Sequence, residues 1–457
     1  MSKHYTRREL LKAAGYAGLG LPMASLLGCG GGGSPAFGNG GPGGGVTGIN
    51  DYKALVCLFL YGGNDSYNMV VPTTQALYDH YSASRLNLAV PKNQLIALSG
   101  MAADGANYGA HPDMSELAAL YNSGQAAVLS NVGSLLHPTT RADYGAGRVP
   151  PRLFSHNDQQ DQWQTAHADA SEITGWAGRA ADVFDGVNGS AEMPLNISIA
   201  GSNTLQRGNS SNTFAMSPGG AQTLDGLDPG AGSLRSAFDQ VRLLAQSNIY
   251  AQGYADVLDR SIRLNALLDS LLKNQPALAT TFPASSLGSQ LKAVARLVGI
   301  RSALSMKRQV FFVSMGGFDT HDAQSSVQPG LFADLSQSLK AFYDATIELG
   351  VADSVTSFTA SDFGRSLTVN GKGTDHGWSG HQWIVGGAVA GGRIYGMPPS
   401  MQADGADDSE GGRFIPTSSV DQYGATLMRW FNVGESNLDL VFPNLNRFAS
   451  RDLGFMA

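Results

Sequence analysis

A chain of 457 residues, 42% of them apolar, is long enough to bury a substantial core. Its formal charge of -7 and the lack of any long Lys/Arg run leave no electrostatic footprint for nucleic acid. Only two cysteines, Cys29 and Cys57, are present, which excludes a disulfide framework, and Cys57 sits in an apolar run as a small buried hydrophobe.

The chain opens with TRRELLKAAGYAGLGLPMASLLGC, where Arg7 and Arg8 precede a weakly apolar stretch too short and Gly-rich to span a membrane stably. The pattern resembles twin-arginine export signals, and LLGC at 26–29 resembles a lipoprotein box, which implies a lipid on Cys29. Residues 1–29 are therefore expected to be a signal peptide. The twin-arginine export machinery and the membrane are the implied partners, with the periplasm or cell envelope as destination. Such machinery moves folded cargo, so the resemblance implies a fold acquired before export. A Gly/Pro tract then supplies a flexible linker over 30–50, and the folded domain is expected over 51–457.

KALVCLFL (53–60) is a nearly continuous apolar run released into YGGND, the profile of a strand covered on both faces. Further strands are expected at 126–132, 194–200, 308–315, 354–360 and 382–389. Helical spacing lies between them, in MSELAALYNSG and in LFADLSQSLKAFYDATIELG (331–350). The alternation predicts an α/β sandwich with a largely parallel sheet, whose ligands collect beyond the carboxyl ends of the strands. Residues 203–305 run from Gly/Ser/Asn-rich to helical and are expected to form a helical insertion or cap.

Polar residues follow the strands in a pattern. Asp65 follows the first, Asp319 and His321 follow the run at 308, Asp362 and Arg365 follow the run at 354, and Asp375, His376 and His381 come next. In a parallel sheet these ends share one edge, and crowded carboxylates there repel unless a cation or protons neutralise them. Mixed Asp and His ligands suit zinc, manganese or iron better than calcium. The bland reading of each is a helix cap or turn for a lone Asp and a solvated loop residue for His376.

The motifs LVCLFLYGGNDSYNMVVP, SHNDQQDQW, GGFDTHDAQ and SDFGRSLTVNGKGTDHG, followed by GGAVAGGRIYG, together resemble the exported bacterial family called domain of unknown function 1501. That family is similar in turn to the alkaline phosphatase and sulfatase superfamily, which implies a three-layer α/β/α sandwich with a one-metal or two-metal hydrolytic site. By that resemblance Asp65, Asp319, His321, Asp362 and His376 are metal ligands for one or two divalent ions, zinc or manganese. The chain departs from the superfamily pattern in spacing its first pair Asp-x-His and in having Asp362-Phe363 where an Asp-His dipeptide is usual; Asp375 or His381 are the substitutes on hand.

The resemblance places a nucleophile at a helix N-terminus, where LFSHNDQQDQW offers Ser155, with Arg365 to balance an anionic group. Ser155 also begins a capping-box-like sequence, and His156 or Asp158 is the alternative residue to face the metals. The function expected is hydrolysis of a small anionic ester, phosphate or sulfate, outside the cytoplasm. The competing expectation is a non-catalytic envelope lipoprotein that keeps the fold as a binding or assembly module.

Overall fold

In the computed structural model, residues 49–189, 191–220, 232–242, 244 and 248–457 are described. The segments that carry the export and lipidation patterns, up to residue 48, lie outside them. Nine strands form the main sheet: β1 (Lys53–Leu60), β2 (Ala126–Gly133), β3 (Asn196–Ser198), β4 (Thr213–Ala215), β5 (Arg308–Met315), β6 (Val355–Ser361), β7 (Gly380–Gly386), β8 (Ile394–Tyr395) and β9 (Ser418–Ser419). Their order is β8-β2-β7-β6-β1-β5-β3-β4, with β9 paired to the end of β2.

The register explains the apolar runs. β1 pairs in parallel with β5 on one side and β6 on the other, so every residue from Ala54 to Leu60 is buried. Leu55, Cys57 and Phe59 point to one face, where they meet Trp163, Trp176 and the helices Val420–Trp430 and Glu435–Val441. Val56, Leu58, Phe311 and Val313 alternate to the other face, which the helices Ser286–Gly299, Gln324–Glu348 and Ser115–Asn122 cover. The result is a mixed α/β fold with flanking helices and a largely parallel sheet. The exception is β7, which runs antiparallel to both β2 and β6.

Residues 43–218 and 276–457 form one compact unit and carry the site described below. Residues 219–275 fall in a second unit, whose described part is the helices Gly232–Arg242 and Ile249–Asn274. Within the longer helix, Leu264, Leu268 and Leu272 recur on one face at four-residue spacing. The helix Ser286–Gly299 belongs to the larger unit and packs on β5. Cys57 is a free, buried thiol, as its apolar surroundings predict.

Candidate metal centre

Neighbouring parallel strands deliver their following residues to one edge. β1 leads into Gly62 and Gly63, β5 leads to Asp319, and β6 is followed by Asp362. The loops approach backbone to backbone: Gly62 has φ of +114°, and a Cβ placed on it would lie 2.3 Å from the Asp319 nitrogen. Only glycine meets both conditions. The same residue donates its N–H to Asp362 Oδ2 at 3.1 Å and accepts from Arg365 Nη1 at 3.2 Å. Arg365 also donates to Asp319 Oδ1 at 2.7 Å and to the Thr374 carbonyl. One strand-end glycine thereby ties together two acids and the arginine between them.

Two histidines face Asp319. His376 lies on the short strand Thr374–His376, paired antiparallel with Arg365–Val369. Its Nδ1 is 2.7 Å from the Phe154 carbonyl, which can only accept, so that nitrogen carries the proton and Nε2 presents a lone pair. Phe154 is held at φ 71°, a sparsely populated conformation for a bulky residue. His156 begins the helix His156–Thr165, with Nδ1 2.6 Å from Asp362 Oδ2 and a buried Nε2 that has no hydrogen-bond partner. His376 Nε2 is 3.4 Å from Asp319 Oδ1 and His156 Nε2 is 3.6 Å from Asp319 Oδ2. Ligand atoms of His156, Asp319 and His376 all lie within 4.8 Å of one another. The Phe363 ring packs on both imidazoles, at centroid distances of 4.8 and 4.7 Å.

The electrostatics favour the metal-binding protonation states. Burial lowers the His376 pKa, and the charge of Arg365 lowers it further against the raising effect of the Phe154 bond. Burial works to raise the Asp319 carboxyl, but the Arg365 bond and charge bring it below the ordinary carboxylate value. A neutral imidazole and an ionised carboxylate are what a divalent ion requires. Two imidazoles and one carboxylate can hold one divalent ion of the zinc, manganese or iron type.

The residues expected from sequence divide into groups. Asp319 and His376 belong to the centre. His321 adjoins it, with Nε2 2.8 Å from His376 Nε2 and 3.1 Å from Asp319 Oδ1, while its Nδ1 faces Asp375 Oδ1 at 3.4 Å. Asp362 stands behind His156, and Arg365 lies buried beneath Asp319. Asp65 is outside the three-residue group: its buried carboxylate is taken by Arg85 on one oxygen and Gln324 on the other. Ser155 precedes the helix but makes no capping bond; its Oγ donates to Asp158 Oδ2 at 2.6 Å. His381 is buried in β7, where Nδ1 accepts from the Asn131 N–H at 3.2 Å, and burial pushes its pKa down to about 3. Sequence alone marks His156 only as an alternative to Ser155, since no strand ends immediately before it.

The family model described as "Protein of unknown function (DUF1501)" matches residues 52–410. Among solved structures, the chain is similar to "Crystal structure of Ps i-CgsB" at 10% identity and a TM-score of 0.36, covering 87% of this chain and 75% of that one. It is likewise similar to "Crystal structure of Ps i-CgsB in complex with k-i-k-neocarrahexaose" at 12% identity and a TM-score of 0.34, covering 88% and 77%. No curated protein matches.

Proposed function

The chain belongs to the DUF1501 family, and we propose that it is a metal-dependent hydrolase of phosphate or sulfate esters that works outside the cytoplasm. The observation that carries the proposal is the His156, Asp319 and His376 set, whose ligand atoms all lie within 4.8 Å of one another. A divalent ion bound there supplies a Lewis acid and a water of lowered pKa. His156 and His376 offer nitrogen lone pairs, and Asp319 offers an oxygen whose charge Arg365 partly balances.

Ser155 is the side-chain nucleophile in this reading, with Asp158 already accepting its proton's hydrogen bond. The narrower ester class is supported by the motif resemblance and by the helix His156–Thr165, whose first amides receive no side-chain cap and whose positive dipole end would favour an anion. Export and lipid anchoring at Cys29 rest on the N-terminal pattern. Among the described residues, no helix is long and apolar enough to cross a membrane.

A second reading is favoured by one observation. His321 Nε2 lies close enough to His376 and Asp319 to act as a fourth protein ligand, and a closed four-ligand set is typical of structural rather than catalytic zinc. The chain is then a metal-stabilised binding or assembly module of the cell envelope. Metal analysis together with aryl phosphate and aryl sulfate assays, on wild type and Asp319→Ala, separates the two. Turnover that requires both metal and Asp319 supports the hydrolase; bound metal without turnover on either ester supports the module.

A further inference from the structure

We infer that Asp362 is a positioning residue, which holds His156 in its metal-binding tautomer and sets the affinity of the centre without itself touching the ion. The inference rests on the metal-site reading above and assigns Asp362 a role different from that of ligand. Its side chain is wholly buried at the end of β6, and one oxygen does all the bonding. Oδ2 accepts from His156 Nδ1 at 2.6 Å, from Gln160 Nε2 at 3.0 Å and from the Gly62 N–H at 3.1 Å.

These donors come from two places. His156 and Gln160 are four residues apart and so share one face of a single helix, whereas Gly62 belongs to the loop after β1. The acid therefore staples the first turn of the helix to the strand ends that carry Asp319. With Nδ1–H committed to a carboxylate, a neutral His156 presents Nε2 as a bare lone pair, and that atom is buried without a hydrogen-bond partner, 3.6 Å from Asp319 Oδ2. A buried carboxylate also raises the donor strength of the imidazole it holds. Asp362 Oδ1 is buried and unpartnered too, yet Asp362 is absent from the atoms that converge within 4.8 Å. The arrangement is a carboxylate, histidine, metal relay, in which the outer partner is commonly worth about 10–100-fold in metal affinity.

The test uses the full chain as wild type, Asp362→Asn, Gln160→Leu and His156→Ala. Zn(II) affinity is measured by competition with a chromophoric chelator, and Co(II) is added to read the visible spectrum of the bound ion. The expected result is that Asp362→Asn binds the same number of ions, with unchanged Co(II) band positions and Zn(II) affinity lowered about 10–100-fold. Gln160→Leu should weaken Zn(II) binding less than Asp362→Asn, and His156→Ala should change the spectrum itself. An unaltered affinity in Asp362→Asn overturns the inference, as does a Co(II) spectrum that reports a lost oxygen donor, which would make Asp362 a ligand. Should Asp362→Asn fail to fold by circular dichroism, Gln160→Leu decides, and wild-type affinity in that variant is contrary. Wild type that binds neither ion is a separate outcome, removing the metal-site reading and this inference with it.

Discussion

Arg365 Nη1 lies 2.7 Å from Asp319 Oδ1, joining a guanidinium that is wholly buried to a carboxylate left about half exposed at 48%. The buried partner also satisfies the Gly62 and Thr374 carbonyls, so its removal orphans acceptors in the floor of the site. Arg365→Met is expected to lower unfolding stability by about 3 kcal/mol, mostly from those acceptors, because solvent screens the exposed acid. Arg365→Lys should recover little, since an ammonium cannot reproduce the fork of donors. Urea denaturation midpoints of the two variants check this.

Gly62 is the point where the loops after β1 and β5 touch. Gly62→Ala places a methyl 2.3 Å from the Asp319 nitrogen on a backbone at φ +114°, so Asp319 must move. The expected cost exceeds about 1 kcal/mol and is accompanied by weakened metal binding. Gly316→Ala is the control, because nothing lies within 4 Å of its added methyl. That variant should stay within about 0.5 kcal/mol of wild type in thermal melts and bind metal normally.

Asp65 forms a fully buried ion pair with Arg85 and belongs to the core of the structure rather than to the metal centre. Asp65→Ala leaves a buried guanidinium without its counter-charge and should cost about 3–5 kcal/mol. Replacing both members, as in Asp65→Asn with Arg85→Met, should return a large part of that loss. Equilibrium dialysis on the folded double variant should still find wild-type metal stoichiometry; loss of the ion would make Asp65 a ligand after all.

Two buried groups give stability opposite dependences on pH. Burial pushes the Asp421 carboxyl up to about 7 from an ordinary 3.8, so between those values the folded state holds a proton that the unfolded state has released, and stability falls as pH rises. His381, pushed down to about 3 from 6.5, does the reverse: the unfolded state takes the proton first, and stability falls as pH drops through that range. Asp421→Asn removes the first effect. Relative to wild type it should gain stability at pH 8 and lose that advantage by pH 4, by on the order of 1 kcal/mol per pH unit between the two carboxyl values. Chemical denaturation at the two pH values measures the difference.

Sequence carries the strands well where burial is complete. The runs at 53–60 and 308–315 coincide with β1 and β5, and that at 354–360 is one residue out of step with β6, because a strand covered on both faces leaves a continuous apolar signature. Strand direction leaves no such mark, so the antiparallel β7 reads like its parallel neighbours. Asp65 shows the corresponding limit for sites: an acid just past a strand looks the same whether it meets an ion or an arginine. Its partner Arg85 ends the partly exposed helix Gln75–Arg85 and has no distinguishing pattern. His156 reaches the centre through a tertiary contact with Asp362 across 206 residues, a pairing that neither spacing nor periodicity encodes.

The most direct measurement is the divalent-metal content of the folded full chain, by elemental analysis after equilibrium dialysis against zinc, for wild type, His156→Ala, Asp319→Ala and His376→Ala. A centre built from these three side chains predicts one tightly held ion in wild type and its loss from each variant, with circular dichroism unchanged. Wild type without bound zinc, or variants that retain wild-type zinc while folded, would contradict it.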